Sequence, residues 1–558
     1  MVPRSSRSSA PRWSALLGAL ALVGAVGGGL AYKVQHDRAQ SRLQDNAITV
    51  VTDFLRAWSA GDAPAAAAQV QPEQAALVTA LLPATRSALH AVSASYALRG
   101  AVSADRQPGA SYTATVVVAG LGRAQWTGRV PLVRVGQGWR VAFTPAVLHP
   151  ALRPGGRFAY LRTPASRGRL LTADGHSLSV DADLSGNLRG VVVTATAGST
   201  LPPETVPGDD VGTTGLERAW NASLAGQAGG SVTVLDAAGH QVAVVLSSAK
   251  ADGSDLSTTL NLKVQRAGEA ALAGVPQAGA LVAIDTTTGQ VLASVNHPAG
   301  GFGRALAGKG PPGSTFKIIT SAAALIAGVP EDTTLDCSAT ATAYGRSFKN
   351  AENQASGPIT WRQAFASSCN TWFVRLQDKV PLAVLDSTAA LFGFSTAPRQ
   401  QAAAGVLPVA SFGGSAPMPQ DRAQAAGQAI GQDLVLASPL QMASVAAAVA
   451  DGSWREPVLA GAATVVHPLP PAILGALRSF MAAAVGPGGT AEKAGLPAGT
   501  YGKTGTAETA ASAVDPQRTD SWFIGYRGTV AFAVEFDQAG FGAQVAAPAA
   551  ARFLAALG

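Results

Sequence analysis

Cysteine and histidine are scarce in this sequence, and that scarcity removes several classes of site. The only two cysteines, Cys337 and Cys369, exclude a disulfide-dense scaffold and a four-cysteine zinc site, while one disulfide in an oxidising compartment stays open. The seven histidines are dispersed, and none pairs with another at metal-ligand spacing. We therefore expect no metal and no other cofactor, and a Ser-His-Asp enzyme is disfavoured.

Charged residues are also few, at 13% of the chain, whereas apolar residues make up 47%. This balance excludes a largely disordered protein, and 558 residues are too many for a single hydrophobic core. The formal net charge is +7, but no basic run carries interleaved aromatic residues. We expect an ordinary solvated surface and no nucleic-acid partner.

Only one uncharged run in the sequence, residues 13–32, is long enough to cross a membrane. Trp13 and Tyr32 flank this run, where aromatic rings favour the level of the lipid headgroups. It predicts a single transmembrane anchor after a cytoplasmic tail at 1–12, although a signal peptide cleaved near Gly29-Leu30-Ala31 is the alternative. Both readings export the remainder, so we expect a single-pass cell-membrane protein with an extracytoplasmic catalytic domain.

The chain downstream of residue 44 divides by its periodicity into three regions. Residues 45–152 begin with a helical pattern and continue with alternating strands, which predicts a small α+β, cone-like domain. Residues 153–275 carry short β runs between Gly, Ser and Thr, which predicts a β-rich pedestal. Residues 276–558 have strands at both ends and helices between them, which predicts an α/β domain with one sheet built from the two termini.

The first motif with chemical meaning is Ser314-Thr315-Phe316-Lys317. Pro311-Pro312-Gly313 ends the preceding structure, and a strong helical run follows, so Ser314 is predicted at a helix N-terminus with Lys317 one turn on. A serine hydroxyl is a weak nucleophile and needs an adjacent base. A lysine can serve only when burial or a nearby cation lowers its pKa.

Two further motifs follow Ser314 in the same domain. Ser368-Cys369-Asn370 places a hydroxyl and an amide two residues apart, and Lys503-Thr504-Gly505-Thr506 falls on a predicted strand whose edge can align an extended peptide. Ser368 comes 54 positions after Ser314, and Lys503 comes 135 after Ser368.

Each motif alone is weak, because the chain contains decoys at Ser247-Ser248-Ala249-Lys250, Ser185-Gly186-Asn187 and Lys493-Ala494-Gly495. A capping serine or a solvated lysine explains most single matches. The decoys lack the predicted helix start, cleft or strand, whereas the ordered set of three motifs has each of them.

This ordered set resembles the Ser-x-x-Lys, Ser-x-Asn and Lys-Thr-Gly motifs of penicillin-binding proteins and serine β-lactamases. The surrounding text, including "PPGSTFKIITSAAAL", "AFASSCNTWFVRL", "GGTAEKAG" and "YGKTGTAE", is similar to class B penicillin-binding proteins. Upstream, "SRGRLLTADGHSLS" and "GLERAWNASLAG" resemble their pedestal, which is related to a dimerisation domain. "GWRVAFTPAVLHPAL" resembles the end of the nuclear-transport-factor-like domain of the methicillin-resistance type.

The resemblance implies a peptidoglycan DD-transpeptidase that cross-links stem peptides at D-Ala-D-Ala and is inhibited covalently by β-lactams. Ser314 would be the nucleophile, Lys317 its base, Ser368 a proton relay, and Asn370 a holder of the substrate amide. Lys503 would keep Lys317 neutral. The remaining positions of the third motif would bind substrate: Thr504, Gly505 and Thr506. A membrane glycosyltransferase is the partner that the family suggests.

Other readings stay open. A β-lactamase or DD-carboxypeptidase would use the same residues for hydrolysis, and a β-lactam sensor or a wall-assembly scaffold would need no turnover. Cys369 is interpreted as a small buried neighbour of Ser368 and not as a thiol nucleophile, because no histidine flanks it. Glu352 and Asn353 could line a cleft or belong to a solvated loop.

Overall fold

A computed structural model describes residues 14–105, 107–196, 205–395, 407–515 and 517–558, without the side chains of 14–32, 34 and 185. The chain divides into two compact units. The first contains residues up to 166 together with 194–209 and 226–252, and the second contains 167–193, 210–225 and 253–558. The stretch 153–275, predicted as a pedestal, therefore contributes residues to both units.

Helices at the start of the first unit pack against a four-stranded antiparallel sheet whose strands follow in chain order. Its helices are Ser14–Ala60, Ala63–Ala67, Ala75–Ala88 and Pro145–Leu148, and its strands are Ala91–Ser103, Gly109–Val118, Gly122–Val135 and Gly138–Val141. The predicted helical pattern at the start of this region is confirmed, and one face of the first helix is apolar and buried at Val51, Phe54, Leu55 and Trp58. Trp58 stacks on Tyr96 with 3.5 Å between the ring centroids, which closes this core.

A second, three-stranded sheet completes the first unit. Gly229–Leu235 lies between Gln241–Ser248 and Arg157–Thr163, and both pairings are antiparallel. Val232 and Val234 of the central strand are fully buried in the same core as the helices.

The predicted membrane anchor at 13–32 begins outside the described residues, and none of its side chains belongs to them. Within the described part of the chain, no helix combines the length and the apolar character that a bilayer crossing needs.

The second unit is organised by a five-stranded antiparallel sheet, as the sequence predicts. Its strands, in spatial order, are Val291–His297, Gly279–Asp285, Val530–Phe536, Asp520–Arg527 and Tyr501–Ala507. The first two come from the start of the domain and the last three from its end, so the predicted union of the two termini in one sheet is confirmed. Tyr501–Ala507 is an edge strand with one side left for another partner.

Helices cover this sheet and form the inserted lobe. They are Leu262–Leu272, Arg304–Ala307, Lys317–Ile326, Trp361–Ala366, Asn370–Leu376, Leu382–Leu391, Arg422–Gln428, Pro439–Asp451, Pro471–Val485 and Ala546–Leu557. Two-stranded ribbons join them: Thr334–Cys337 with Gly357–Thr360, Thr340–Ala343 with Arg346–Lys349, and Ser453–Arg455 with Val466–Pro468. Pro439–Asp451 is buried over almost its whole length, which makes it the central helix of the domain.

The remaining elements of the second unit come from the stretch upstream of the sheet. The strands are Leu170–Leu171, Val192–Thr194 (whose last residue belongs to the first unit), Asp210–Gly212 and Leu256–Ser257. The helices are Gly215–Ala219 and Asn221–Ala225, with two further helical turns at Leu178–Val180 and Leu184–Arg189. The Glu217 carboxylate, which is 3% exposed, pairs with Arg167 at 2.8 Å and with Arg189 at 3.0 Å. This buried carboxylate is therefore compensated by two guanidinium groups.

Candidate active site

The segment that carries Ser314 is a 3-10 turn, Gly313–Phe316, that leads directly into the helix Lys317–Ile326. Gly313 adopts a positive φ of 52°, and a Cβ there would lie 2.6 Å from the carbonyl oxygen of Thr506. Only glycine fits this position. Ser314 is half-buried, whereas Lys317 is fully buried, so the turn presents the hydroxyl to the cleft and keeps the amine beneath it.

The Lys317 Nζ contacts four oxygen atoms, which together fix the direction of its lone pair. It donates to the Ser368 carbonyl and to Asn370 Oδ1, both at 2.7 Å. It also lies 3.0 Å from Ser314 Oγ and 3.4 Å from Ser368 Oγ. The two carbonyl oxygens can only accept, so a neutral amine that donates both hydrogens to them turns its lone pair toward the hydroxyls.

Ser368 and Asn370 stand on either side of the point where a new helix begins. Ser368 has a φ of +61°, a conformation that is uncommon for residues other than glycine. Asn370 is the first residue of the helix Asn370–Leu376, and its Nδ2 donates to the Lys349 carbonyl at 3.0 Å. With its oxygen on Lys317 and its nitrogen on Lys349, the Asn370 amide is held at both ends.

Lys503 reaches the same hydroxyl from the edge strand of the sheet. Its Nζ donates to Ser368 Oγ at 2.8 Å and to the Thr504 carbonyl at 3.1 Å, and the side chain is fully buried. A Cβ on Gly505 would lie 2.8 Å from the Pro312 carbonyl oxygen, so this glycine allows the strand to lie directly against the turn Gly313–Phe316, which we call the nucleophile turn after the predicted role of Ser314.

The two threonines of the third motif have different surroundings. Thr504 is 5% exposed, and its Oγ1 lies 2.6 Å from Thr490 Oγ1. Thr506 is half-buried, and its Oγ1 accepts a hydrogen bond from the Gly542 N–H at 3.2 Å. The hydroxyl of Thr506 is therefore the more accessible of the two to a molecule in the cleft.

Burial dominates the electrostatics of the two lysines. It lowers the pKa of Lys317 well below its usual value, and the nearby Lys503 charge lowers that pKa further. Burial also lowers the pKa of Lys503, to about 7. One amine can thus be neutral while the other is still protonated, and Ser368 Oγ lies between them.

All five residues predicted as catalytic meet in this cluster, whereas the decoys do not form a comparable one. Lys250 pairs with Asp252 at 3.0 Å, and Ser247 lies near the end of the strand Gln241–Ser248. Lys493 lies in a 3-10 turn, Glu492–Ala494, instead of a strand. Ser185 lies in a short helical segment, Leu184–Arg189.

Comparison with known families agrees with this geometry. The penicillin-binding protein transpeptidase domain matches residues 279–555, the penicillin-binding protein dimerisation domain matches 188–258, and the NTF2-like N-terminal transpeptidase domain matches 46–156. A peptidoglycan D,D-transpeptidase PbpA of Mycolicibacterium smegmatis is 30% identical over 415 residues, which cover 64% of this chain and 80% of that protein. The chain belongs to the penicillin-binding protein transpeptidase family.

Two other similar proteins extend this family assignment. PbpA of Mycobacterium tuberculosis H37Rv is 31% identical over 333 residues, and the match covers 49% of this chain and 64% of that protein, just under two thirds of its length. A solved structure described as a peptidoglycan synthase complex that coordinates polymerization and crosslinking is 25% identical. It has a TM-score of 0.59 and covers 72% of this chain and 92% of that one.

The two cysteines form a disulfide that adjoins the second motif of this penicillin-binding protein fold. Cys337 ends the strand Thr334–Cys337, and Cys369 lies between Ser368 and Asn370, with 6.2 Å between the two Cα atoms. Both cysteines are buried, which agrees with the interpretation of Cys369 as a buried neighbour of Ser368. The bridge, which the sequence left open, ties the residue between two predicted catalytic groups to a neighbouring strand.

Sequence reasoning missed three residues that support the site. Asn350 accepts from the Thr371 N–H at 3.0 Å and donates to the Ser338 and Gln354 carbonyls, which fixes the loop beside Asn370. Gly431 accepts from the Gly313 N–H at 3.0 Å, and Thr490 holds Thr504. The strings "KNAEN", "AIGQD" and "GGTAE" contain them, but only the folded path brings them to the cleft.

The open question over Glu352 and Asn353 has a structural answer. Both residues are exposed and both have positive φ, 52° and 55°. They form a tight turn that directly follows Asn350, so they belong to an exposed loop next to the supporting asparagine.

The two lysines predict a bell-shaped pH profile for acylation by a β-lactam. The rate should fall at acidic pH as Lys317 becomes protonated and can no longer accept a proton. It should fall again at alkaline pH as Lys503 loses its charge, with that limb near pH 7. In Lys503→Arg the guanidinium stays charged, so the fall in rate at alkaline pH should disappear from the measured pH range. Second-order rates of acylation by a fluorescent penicillin, measured across pH for both proteins, check this; an unchanged alkaline limb in the variant would contradict it.

The disulfide predicts a coupled loss of stability and acylation. The disulfide joins cysteines that are 32 residues apart. By lowering the conformational entropy of the unfolded chain, a cross-link over such a loop stabilises a fold by about 3 to 4 kcal/mol. Cys337→Ala/Cys369→Ala should therefore unfold at a lower temperature, and it should acylate several-fold more slowly because Ser368 and Asn370 lose their anchor. Reduction of the wild type, verified by mass, should slow acylation by a similar factor and leave the double variant unaffected. Equal acylation rates in oxidised and reduced wild type would show that the bridge positions nothing.

Proposed function

We propose that this protein is a serine DD-transpeptidase that cross-links peptidoglycan stem peptides and forms a lasting acyl-enzyme with β-lactams. The single observation that carries the proposal is the buried Lys317 amine. It lies 3.0 Å from Ser314 Oγ and 2.7 Å from both the Ser368 carbonyl oxygen and Asn370 Oδ1, and it has no carboxylate among its hydrogen-bond partners in the described part of the chain. A lysine in this setting can act as a base at neutral pH.

In the acylation step, Ser314 Oγ attacks the carbonyl carbon between the two terminal D-Ala residues, and its proton passes to Lys317. The backbone N–H groups of Ser314 and Thr506 would stabilise the oxyanion that develops. Collapse of the tetrahedral intermediate breaks the C–N bond. The leaving D-Ala amine takes a proton through Ser368 Oγ, which lies between the two lysines.

In the second step, the amine of a neighbouring stem peptide attacks the Ser314 ester and forms the new amide. Lys317, neutral again, would accept the proton of that amine, and Ser314 recovers its hydrogen.

The remaining residues of the site would bind the first peptide before acylation. Lys503, Thr504 and Thr506 would bind its terminal carboxylate, Gly505 would let its backbone approach the strand, and Asn370 would hold its amide. A β-lactam would follow only the first step, because its leaving amine stays tethered.

The site is tested by covalent labelling with a fluorescent penicillin. Ser314→Ala should lose labelling because it removes the hydroxyl that lies 3.0 Å from Lys317 Nζ, whereas Ser247→Ala, which removes the decoy serine, should label like wild type. Wild type should also convert D-Ala-D-Ala-ended stem peptides to cross-linked product with release of D-Ala. Equal labelling of Ser314→Ala and wild type would contradict the assignment of Ser314 as the nucleophile. Steady hydrolysis of a chromogenic cephalosporin, instead of a single stoichiometric burst, would favour a β-lactamase.

We also propose that residues 13–32 anchor the chain in the cell membrane by a single span, with the transpeptidase domain outside. The uncharged run supports this, and so does the disulfide, since such bonds persist in oxidising compartments. The full-length chain should resist carbonate extraction from membranes, and protease added to intact protoplasts should remove the labelled domain. Release into the carbonate supernatant would contradict the anchor.

A wall-building partner is part of the same proposal. The similar peptidoglycan synthase complex combines polymerization with crosslinking, and a membrane glycosyltransferase would supply the glycan strands whose stem peptides this enzyme joins.

A further inference from the structure

A second polar cavity in the transpeptidase domain lies outside the cluster around Ser314. We call it the acidic cavity and define it by Asp520, Glu535 and Asp537, which offer carboxylate oxygens within 4.8 Å of one another. The cavity measures about 190 Å³ and is also lined by Arg304 and Trp522, among others. The three acids come from the facing ends of two neighbouring strands of the central sheet, where Trp522 pairs with Glu535.

Two polar atoms of the acidic cavity are left without hydrogen bonds. Glu535 is 4% exposed and Trp522 is 1% exposed. Within the described residues, neither Glu535 Oε2 nor Trp522 Nε1 has a hydrogen-bond partner, and the nearest cation to the former is Arg304 Nε at 3.7 Å. Buried polar groups are nearly always paired, so these two atoms point to a further occupant of the cavity. The Glu535 oxygen could coordinate a cation directly, whereas the Trp522 N–H can only donate and would bond a water that the cation holds.

The charges within the cavity do not balance. Arg304 is engaged by Asp537, to which it donates through Nε at 3.1 Å and through a second, shorter contact from Nη2. Asp520 accepts from the Gln538 N–H at 2.9 Å, a neutral donor. Lys309 also lines the cavity, so one guanidinium group and one ammonium group face three carboxyl groups. Burial raises the pKa of Glu535 well above its usual value and that of Asp520 to about 6, so a bound proton is the competing means of neutralisation.

We propose that Asp520, Glu535 and Asp537 bind a divalent cation of the hard, oxygen-preferring class, such as Mg²⁺ or Ca²⁺. The available ligands are carboxylate oxygens from three side chains, which suit these ions, whereas zinc and copper favour nitrogen or sulfur ligands. Asp537 is 40% exposed, which leaves a route from solvent and room for the water that such ions retain. The sequence expectation of no metal considered histidines and cysteines only, since three acids spaced along two strands carry no recognisable pattern.

The cation would act on the fold near the nucleophile and not on the chemistry itself. Asp520 pairs with Ala507 at the end of the Lys503 strand. On the other side, a Cβ at Gly310 would lie 3.6 Å from Asp520 Oδ2, and Gly310 begins the segment that leads to Ser314. A bound ion would hold these two segments together by neutralising the acids between them.

Cation binding to the chelator-treated full-length chain tests the proposal without reference to activity. Calorimetric titration with Mg²⁺ and with Ca²⁺ should show one site per chain at millimolar affinity or better, and the unfolding temperature should rise with cation. Glu535→Gln, which keeps the shape and removes the charge, should weaken binding by about tenfold or more, an expected loss of about 1.4 kcal/mol. Glu331→Gln, a change at an exposed acid elsewhere in the domain, should bind like wild type.

Terbium luminescence localises the ion independently. Tb³⁺ excited through tryptophan should emit in the wild type, and Trp522→Phe should lose most of this emission while calorimetric binding of Ca²⁺ persists. The absence of both binding heat and thermal shift in wild type would overturn the proposal, as would equal binding by Glu535→Gln. Stabilisation by Glu535→Gln with no cation response in wild type would assign the neutralising role to a proton and would also overturn it.

Discussion

The removal of the Lys317 amine from water is the constraint on which the rest of the active site depends. A buried ammonium without a carboxylate partner is unfavourable, so the folded protein favours the neutral amine. Within the described residues, its hydrogen-bond partners are hydroxyl and carbonyl oxygens, and the ring of Phe373 lies 5.1 Å away. A carboxylate at the same place would restore the charge and abolish the base.

Three distant segments must converge to create that environment. The nucleophile turn contributes Ser314 and Lys317, the start of a second helix contributes Ser368 and Asn370, and an edge strand contributes Lys503. The sheet fixes this convergence, because it joins strands from both ends of the domain and thereby closes the helical lobe between them. The disulfide adds a covalent constraint at the segment that lacks support from the sheet.

Local signals explain why part of this arrangement can be predicted from the sequence. Strands at both ends of residues 276–558 are predicted because turn signals and β-rich composition mark them, and the structure has Gly279–Asp285 at one end and Tyr501–Ala507 and Val530–Phe536 at the other. The pairing of Ser314 with Lys317 follows from helical spacing alone. By contrast, eight of the thirteen residues of Ala91–Ser103 are alanine, serine or glycine, which have little β propensity, and the strand is stabilised by pairing with Gly109–Val118.

Tertiary relations supplied what the sequence could not. Three contacts join residues whose spacing along the chain matches neither helix nor strand periodicity. They are the supports from Asn350 and Thr490, the bridge between Cys337 and Cys369, and the grouping of Asp520 with Glu535. The resemblance to a family predicts Ser314 as the nucleophile, but it did not indicate what holds Ser368 in its left-handed conformation.

The glycines around the nucleophile turn have a consequence for how such a site can change over generations. A single methyl group at Gly313, Gly431 or Gly505 would meet backbone carbonyl oxygens at 2.6, 2.0 and 2.8 Å. The floor of the cleft therefore tolerates almost no substitution. Change is therefore expected at exposed positions around the cleft, such as Glu352 and Glu508, where a side chain can be replaced without displacing the turn beneath it.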